Sequence, residues 1–131
     1  MSNWSELARE NLRAAKSLQA GGFHRSCVSR AYYSAYSALA DLLETSGVAF
    51  AHGRPNPSHL RLPRLVFNNL DRRRFDEKTR RHLSKAIIRL RSARVVSDYV
   101  PMQSIDRHVA LECLSDAHRI VREAGFLQGE A

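Results

Sequence analysis

The stretch that decides the fold is residues 24–46, HRSCVSRAYYSAYSALADLLETS. Cys27, Val28, Ala31, Tyr32, Ala35, Ala38, Leu39, Leu42 and Leu43 recur at steps of three and four, which lays them along one broad face of an α-helix. The many alanines leave little bulk between this helix and a neighbour, so other helices can approach it closely. It is expected to be the central helix, stopped by Gly47, because glycine readily takes the left-handed conformation past a helix end.

Working outward, the flanking chain shows the same period. From about Ser2 to Gln19, Trp4, Leu7, Ala8, Leu12, Ala15 and Leu18 form one stripe, closed by Gly21-Gly22. Residues 48–57, VAFAHGRPNP, read as a loop. Ser58 is a good N-cap for a short helix to about Asn69, with Leu62, Leu65 and Val66 inward. Pro63 sits late for a first-turn proline, which distorts that start or moves it further on. After a polar turn from Asn69 to Phe75, Asp76 is placed to cap a long helix reaching about Asp98. Its apolar stripe is Leu83, Ala86, Ile87, Leu90 and Ala93, continued by the small polar Ser97. Pro101 closes that region. The last helix is expected from Ser104, with Val109, Ala110, Cys113, Leu114, Ala117, Ile120 and Val121 as core and Gly125 as its stop. No strand-like alternation or repeat competes. The expectation is one all-α domain over residues 1–131, with its core at about 4–125. Its architecture is an up-and-down bundle of four long helices plus one short helix.

Composition narrows the function. With 131 residues, 44% of them apolar, the chain is outside the disordered, collagen-like and disulfide-framework classes. No run approaches the ~20 consecutive apolar residues that cross a bilayer. The opening MSNWSELARENLRAAK is amphipathic and has no apolar signal core, so a cytoplasmic location without membrane association is expected. Cys27 and Cys113 have no paired-ligand spacing and read as small core residues, with no metal or cofactor implied.

The charge is uneven. The net charge is +8, yet residues 52–94 hold 13 Arg and Lys against three acids, a local +10 that leaves the rest slightly acidic. Eighteen of the 21 cations are arginine, the side chain suited to bidentate phosphate contacts. A one-sided basic segment points to an anionic partner, RNA or a nucleotide first; a solvated helix face is the bland alternative. Arg61, Arg64, Arg72, Arg73, Arg74, Arg80, Arg81 and Arg91 are its candidate contacts.

Two clusters can carry chemistry. Within 29–36, SRAYYSAY, Tyr32 and Tyr36 share one face and suit packing, while Arg30 and Tyr33 fall on another and suit a polar site. At 91–99, RSARVVSDY, Arg91, Arg94 and Asp98 share a face. Arg94 and Asp98 form either a simple ion pair or an arginine oriented by a carboxylate toward phosphate, with Tyr99 alongside. His59, just after Ser58, falls where helix N–H groups bind anions and where a neutral imidazole can act as a general base, with Arg54 or Arg94 stabilising the phosphorane. A surface histidine at a helix start is the plain alternative. His24, His52, His82, His108 and His118 have no metal-site spacing.

SRAYYSAYSALADLL at 29–43, Ser58-His59 opening a short helix, and Arg94 with SDYV at 97–100 together resemble a small prokaryotic HEPN-domain protein. The resemblance covers about residues 4–125 and implies an all-α bundle that pairs as a homodimer. Many such proteins are metal-independent ribonucleases of toxin–antitoxin and defence systems. Others are non-cleaving modules that associate with a small nucleotidyltransferase. The nuclease members carry Arg-x(4–6)-His. The one match here, Arg54 to His59, lies in the proline loop and not in the late helix where the family places it. If cleavage occurs, His59 with Arg30, Arg54 or Arg94 is expected to carry it, supported by Tyr33, Asp98 and Tyr99.

Overall fold

The computed structural model describes residues 3–50 and 53–127. Expectations touching Ser2, His52 and residues 128–131 lie outside the described residues. The chain forms five helices there: α1 (Trp4–Ala20), α2 (His24–Thr45), α3 (Leu62–Asn69), α4 (Glu77–Tyr99) and α5 (Arg107–Glu123). Four are long and α3 is short, the all-helical bundle that the apolar periodicity implies.

α2 packs against every other helix. Ala31, Ala35, Ala38 and Ala40 are fully buried, so backbones approach closely and the remaining volume is filled by Leu39, Leu43 and Tyr32. The Ser34 hydroxyl donates to the Ala8 carbonyl at 2.7 Å, satisfying a buried polar group while joining α2 to α1. Both cysteines are free and buried. Leu7, placed on the α1 stripe, is 42% exposed and lies at its edge. None of the described helices is long and apolar enough to cross a membrane.

Two helix starts differ from the sequence expectation. α3 begins at Leu62, not Ser58, because Pro63 is accommodated only in a first turn, where it removes no helical hydrogen bond. Ser58 instead accepts the Arg61 N–H at 3.4 Å in the turn before it. α5 begins at Arg107, not Ser104: the Asp106 carboxylate takes the Val109 N–H at 2.9 Å, and its charge suits the positive helix end. Asp76 caps α4 as expected, accepting the Thr79 N–H at 2.7 Å.

The far end of α4 is closed by Arg25 from α2. Its guanidinium donates to the carbonyls of Val96, Ser97, Val100, Pro101 and Gln103. One side chain thus supplies partners to carbonyls that a helix C-terminus leaves unpaired.

Candidate nucleic-acid interface

His59 lies in the turn ahead of α3, and its ring folds onto the tyrosines of α2. It stacks on Tyr36 with ring centroids 4.5 Å apart and meets Tyr33 edge-on at 6.2 Å. The turn is anchored from beneath. The Tyr36 hydroxyl donates to the Pro57 carbonyl at 2.6 Å and accepts from Asn56 Nδ2 at 3.3 Å. His59 therefore does not occupy a helix N-terminus; the shift of the α3 start to Leu62 leaves it in a turn with its ring half-buried.

The Tyr32 hydroxyl lies 2.5 Å from His59 Nδ1. Tyr32 is fully buried, and burial raises its pKa, so the phenol keeps its proton. Among the described residues that hydroxyl has no other hydrogen-bond partner, which assigns its proton to Nδ1 and the ring proton of neutral His59 to Nε2. Burial, then Arg94 and Arg91, hold the His59 pKa below its ordinary value and keep the ring neutral. With that tautomer Nε2 is an N–H donor, which suits a phosphate oxygen better than it suits taking a proton from a hydroxyl.

Arg94 is committed inside the protein. Its Nη2 donates to the Tyr33 hydroxyl at 2.7 Å, and its guanidinium lies over the Tyr32, Tyr33 and Tyr99 rings at 5.8, 5.3 and 5.4 Å. Nε is 3.0 Å from Asp98 Oδ2, close enough for an ion pair but not aligned as a hydrogen bond. Asp98 also accepts from Ser29 at 3.5 Å.

On the outer side of His59 runs a groove of about 1050 Å³ between the α3 turn and α4. Arg61, Arg64 and Arg91 line it together with the apolar Leu60, Leu65, Ile88 and Val95. Arg91 has a buried Nε with no hydrogen-bond partner. Ser84 ties α4 to the start of α3, donating to the Pro63 carbonyl at 2.9 Å.

The remaining sequence candidates are dispersed. Arg30 donates to Asn11 at 3.2 Å and shares a separate depression with Asp98 and Tyr99. Arg54, Arg72 and Arg73 are exposed and do not line the His59 groove. Arg74 donates to the Ala124 carbonyl at 2.8 Å, and Arg81 pairs with Glu77 at 3.2 Å. Arg80 is only 4% exposed and donates to the carbonyls of Phe75 and Phe67, a buried strut and not a surface cation. Leu60 and Ile88 were not candidates from sequence. An apolar residue between two polar side chains, His59 and Arg61, off the core stripe, is the signal that marks Leu60.

A family model described as HEPN domain matches residues 1–127. No curated protein and no solved structure matches the chain.

Proposed function

Because the chain belongs to the HEPN domain family, whose members commonly cleave RNA or bind nucleotides, we propose that it binds RNA in the groove beside His59. The observation that carries this reading is the set of donors lining the groove: Arg61, Arg64 and the His59 ring from the α3 side, and Arg91 from α4. Guanidinium groups take phosphate oxygens in bidentate fashion, and a neutral imidazole N–H adds a donor without adding charge. The same tautomer argues for binding without cleavage, since activation of a ribose 2′-hydroxyl needs an acceptor at Nε2. Within a toxin–antitoxin or defence pair the protein would then act by occupying RNA. Pairing with a second copy would bury Leu60, 74% exposed, and Ile88, 49% exposed, which flank the groove.

A second reading is a non-catalytic module that docks an acidic nucleotidyltransferase. It draws on the bundle end where Phe23, Tyr99 and Met102 are 62%, 67% and 94% exposed beside Arg25.

The test is titration of a labelled single-stranded RNA, followed by anisotropy across a salt series, with RNA integrity checked in EDTA. Binding with a steep salt dependence, weakened by the joint Arg61→Gln and Arg64→Gln change, is the expected result. RNA affinity unaffected by that change removes the groove. Cleavage that survives EDTA and is lost in His59→Ala replaces the binding reading with the nuclease one.

A further inference from the structure

The flank of α4 that faces α5 carries a second basic concavity, lined by Lys78, Arg81, His82 and Lys85 from α4 and by Arg119 from α5. Arg119 lies outside the basic segment 52–94, in the part of the sequence whose net charge is slightly negative. The packing of α5 on α4 brings it to cations that are 34 to 41 positions away in the chain. Lys78, Arg81, Lys85 and Arg119 are all exposed, and among the described residues only Arg81 of these four has an acid partner, Glu77. Arg89, on the same flank, is satisfied by Asp116 at 3.0 Å.

Like charges gathered in one depression repel each other, so the arrangement costs stability unless an anion fills it. The groups facing His82 include Arg119 and Arg89, opposed by Asp116 and Glu123. Burial first, and then those two arginines set against the two acids, hold its pKa below the ordinary histidine value and favour the neutral ring.

We propose that this concavity is a second phosphate-binding site, which takes the backbone of the same RNA strand that enters the His59 groove. The inference rests on the groove reading above. Both sites are built on α4, and the step from Arg91 back to the middle of Lys78 and Lys85 is roughly 15 Å at the helical rise of ~1.5 Å per residue. A short oligonucleotide in the groove cannot span that distance and the width of the helix as well. A longer strand can, and it gains contacts with no change in the groove itself. An acidic protein partner would use the same charges without any dependence on strand length.

The experiment compares a uridine trinucleotide with a uridine dodecanucleotide by fluorescence anisotropy. It uses the wild-type protein, the Lys78→Gln, Lys85→Gln, Arg119→Gln triple variant and the Arg61→Gln, Arg64→Gln double variant. All five positions are exposed, and a melting temperature that does not fall verifies each fold. The expected result is a loss of about ten-fold in dodecanucleotide affinity for the triple variant, with its trinucleotide affinity unchanged. The log–log salt slope for the longer strand should fall by about 2, since each phosphate contact contributes ~0.7 on a single strand. Dodecanucleotide binding unaffected in the triple variant overturns the second site and leaves the groove standing. Equal weakening for both lengths also overturns it, because the cations then act only as a general field. Absence of RNA binding by the wild-type protein overturns the groove and the second site together.

Discussion

Among the described residues the Tyr32 hydroxyl and His59 Nδ1 are each other's only hydrogen-bond partner, 2.5 Å apart, with Tyr32 fully buried on α2 and the imidazole half-buried in the turn ahead of α3. This pairing sets which ring nitrogen of His59 carries the proton, and so what the groove offers a ligand.

Removing the hydroxyl tests the pairing directly. Tyr32→Phe keeps the ring contacts but strips Nδ1 of its donor, which should cost about 1–2 kcal/mol in urea unfolding. Nitrogen chemical shifts of the His59 ring should show the Nε2–H tautomer in the wild type and a mixture in the variant. A dominant Nδ1–H tautomer in the wild type would contradict the assignment and restore a proton acceptor to the groove.

Acidification should destabilise the protein through His59. Its folded pKa lies below the ordinary histidine value because of burial and the nearby Arg94 and Arg91. The unfolded chain then binds the proton more readily. The stabilisation is complete above about pH 6.5 and falls away as pH drops through the ordinary value and on through the lower folded one. His82 and His118 are shifted in the same direction, by burial first, so the whole-protein profile is their sum. The difference between wild type and His59→Gln isolates one residue. Thermal melts at matched ionic strength from pH 7.5 to 5 should show a smaller acid loss in the variant.

Arg80 and Arg64 should respond oppositely to the same substitution. Arg80→Gln abandons the Phe75 and Phe67 carbonyls and a guanidinium packed over the Phe67 ring at 5.4 Å. It should lower stability by roughly 2–4 kcal/mol while leaving RNA affinity intact below the melting transition. Arg64→Gln, on the exposed groove wall, should leave stability within ~0.5 kcal/mol and weaken RNA binding. Equal stability effects would show that Arg80 is not a strut.

Loss of the Arg25 cluster should be local. Arg25→Leu removes the guanidinium from five carbonyls between Val96 and Gln103, of which those of Val96 and Val100 keep a backbone N–H donor. Amide hydrogen exchange in the last turn of α4 should accelerate about ten-fold or more, with the α1 core unchanged. Uniform acceleration throughout would indicate a global effect instead.

The helices, their apolar faces and the Asp76 cap were legible because each depends on residues within one or two turns. The start of α3 required weighing Ser58 against Pro63, and the steric demand of the proline ring prevailed over the capping preference. That competition moved His59 off a helix terminus and into the tyrosine cluster, a contact between positions 23 to 27 residues apart. The basic surface was legible only as a sum of charge. Arg80 counts in that sum yet is buried, and Arg119 lies outside the segment yet joins the surface, because tertiary packing and not sequence proximity decides which cations face outward. Arg94 followed the intrahelical reading with Asp98 and added three aromatic rings that spacing alone does not reveal.

Asn56 and Pro57 are tethered to Tyr36 immediately before the His59 turn. Gly53 and Arg54 are exposed ahead of that tether, so residues inserted between them lengthen the loop while the Tyr36 contacts hold the downstream register. A reporter tag or a new pair of chain ends placed there would leave the ring seated on its tyrosine, making this the natural point at which to re-engineer the connectivity of the bundle.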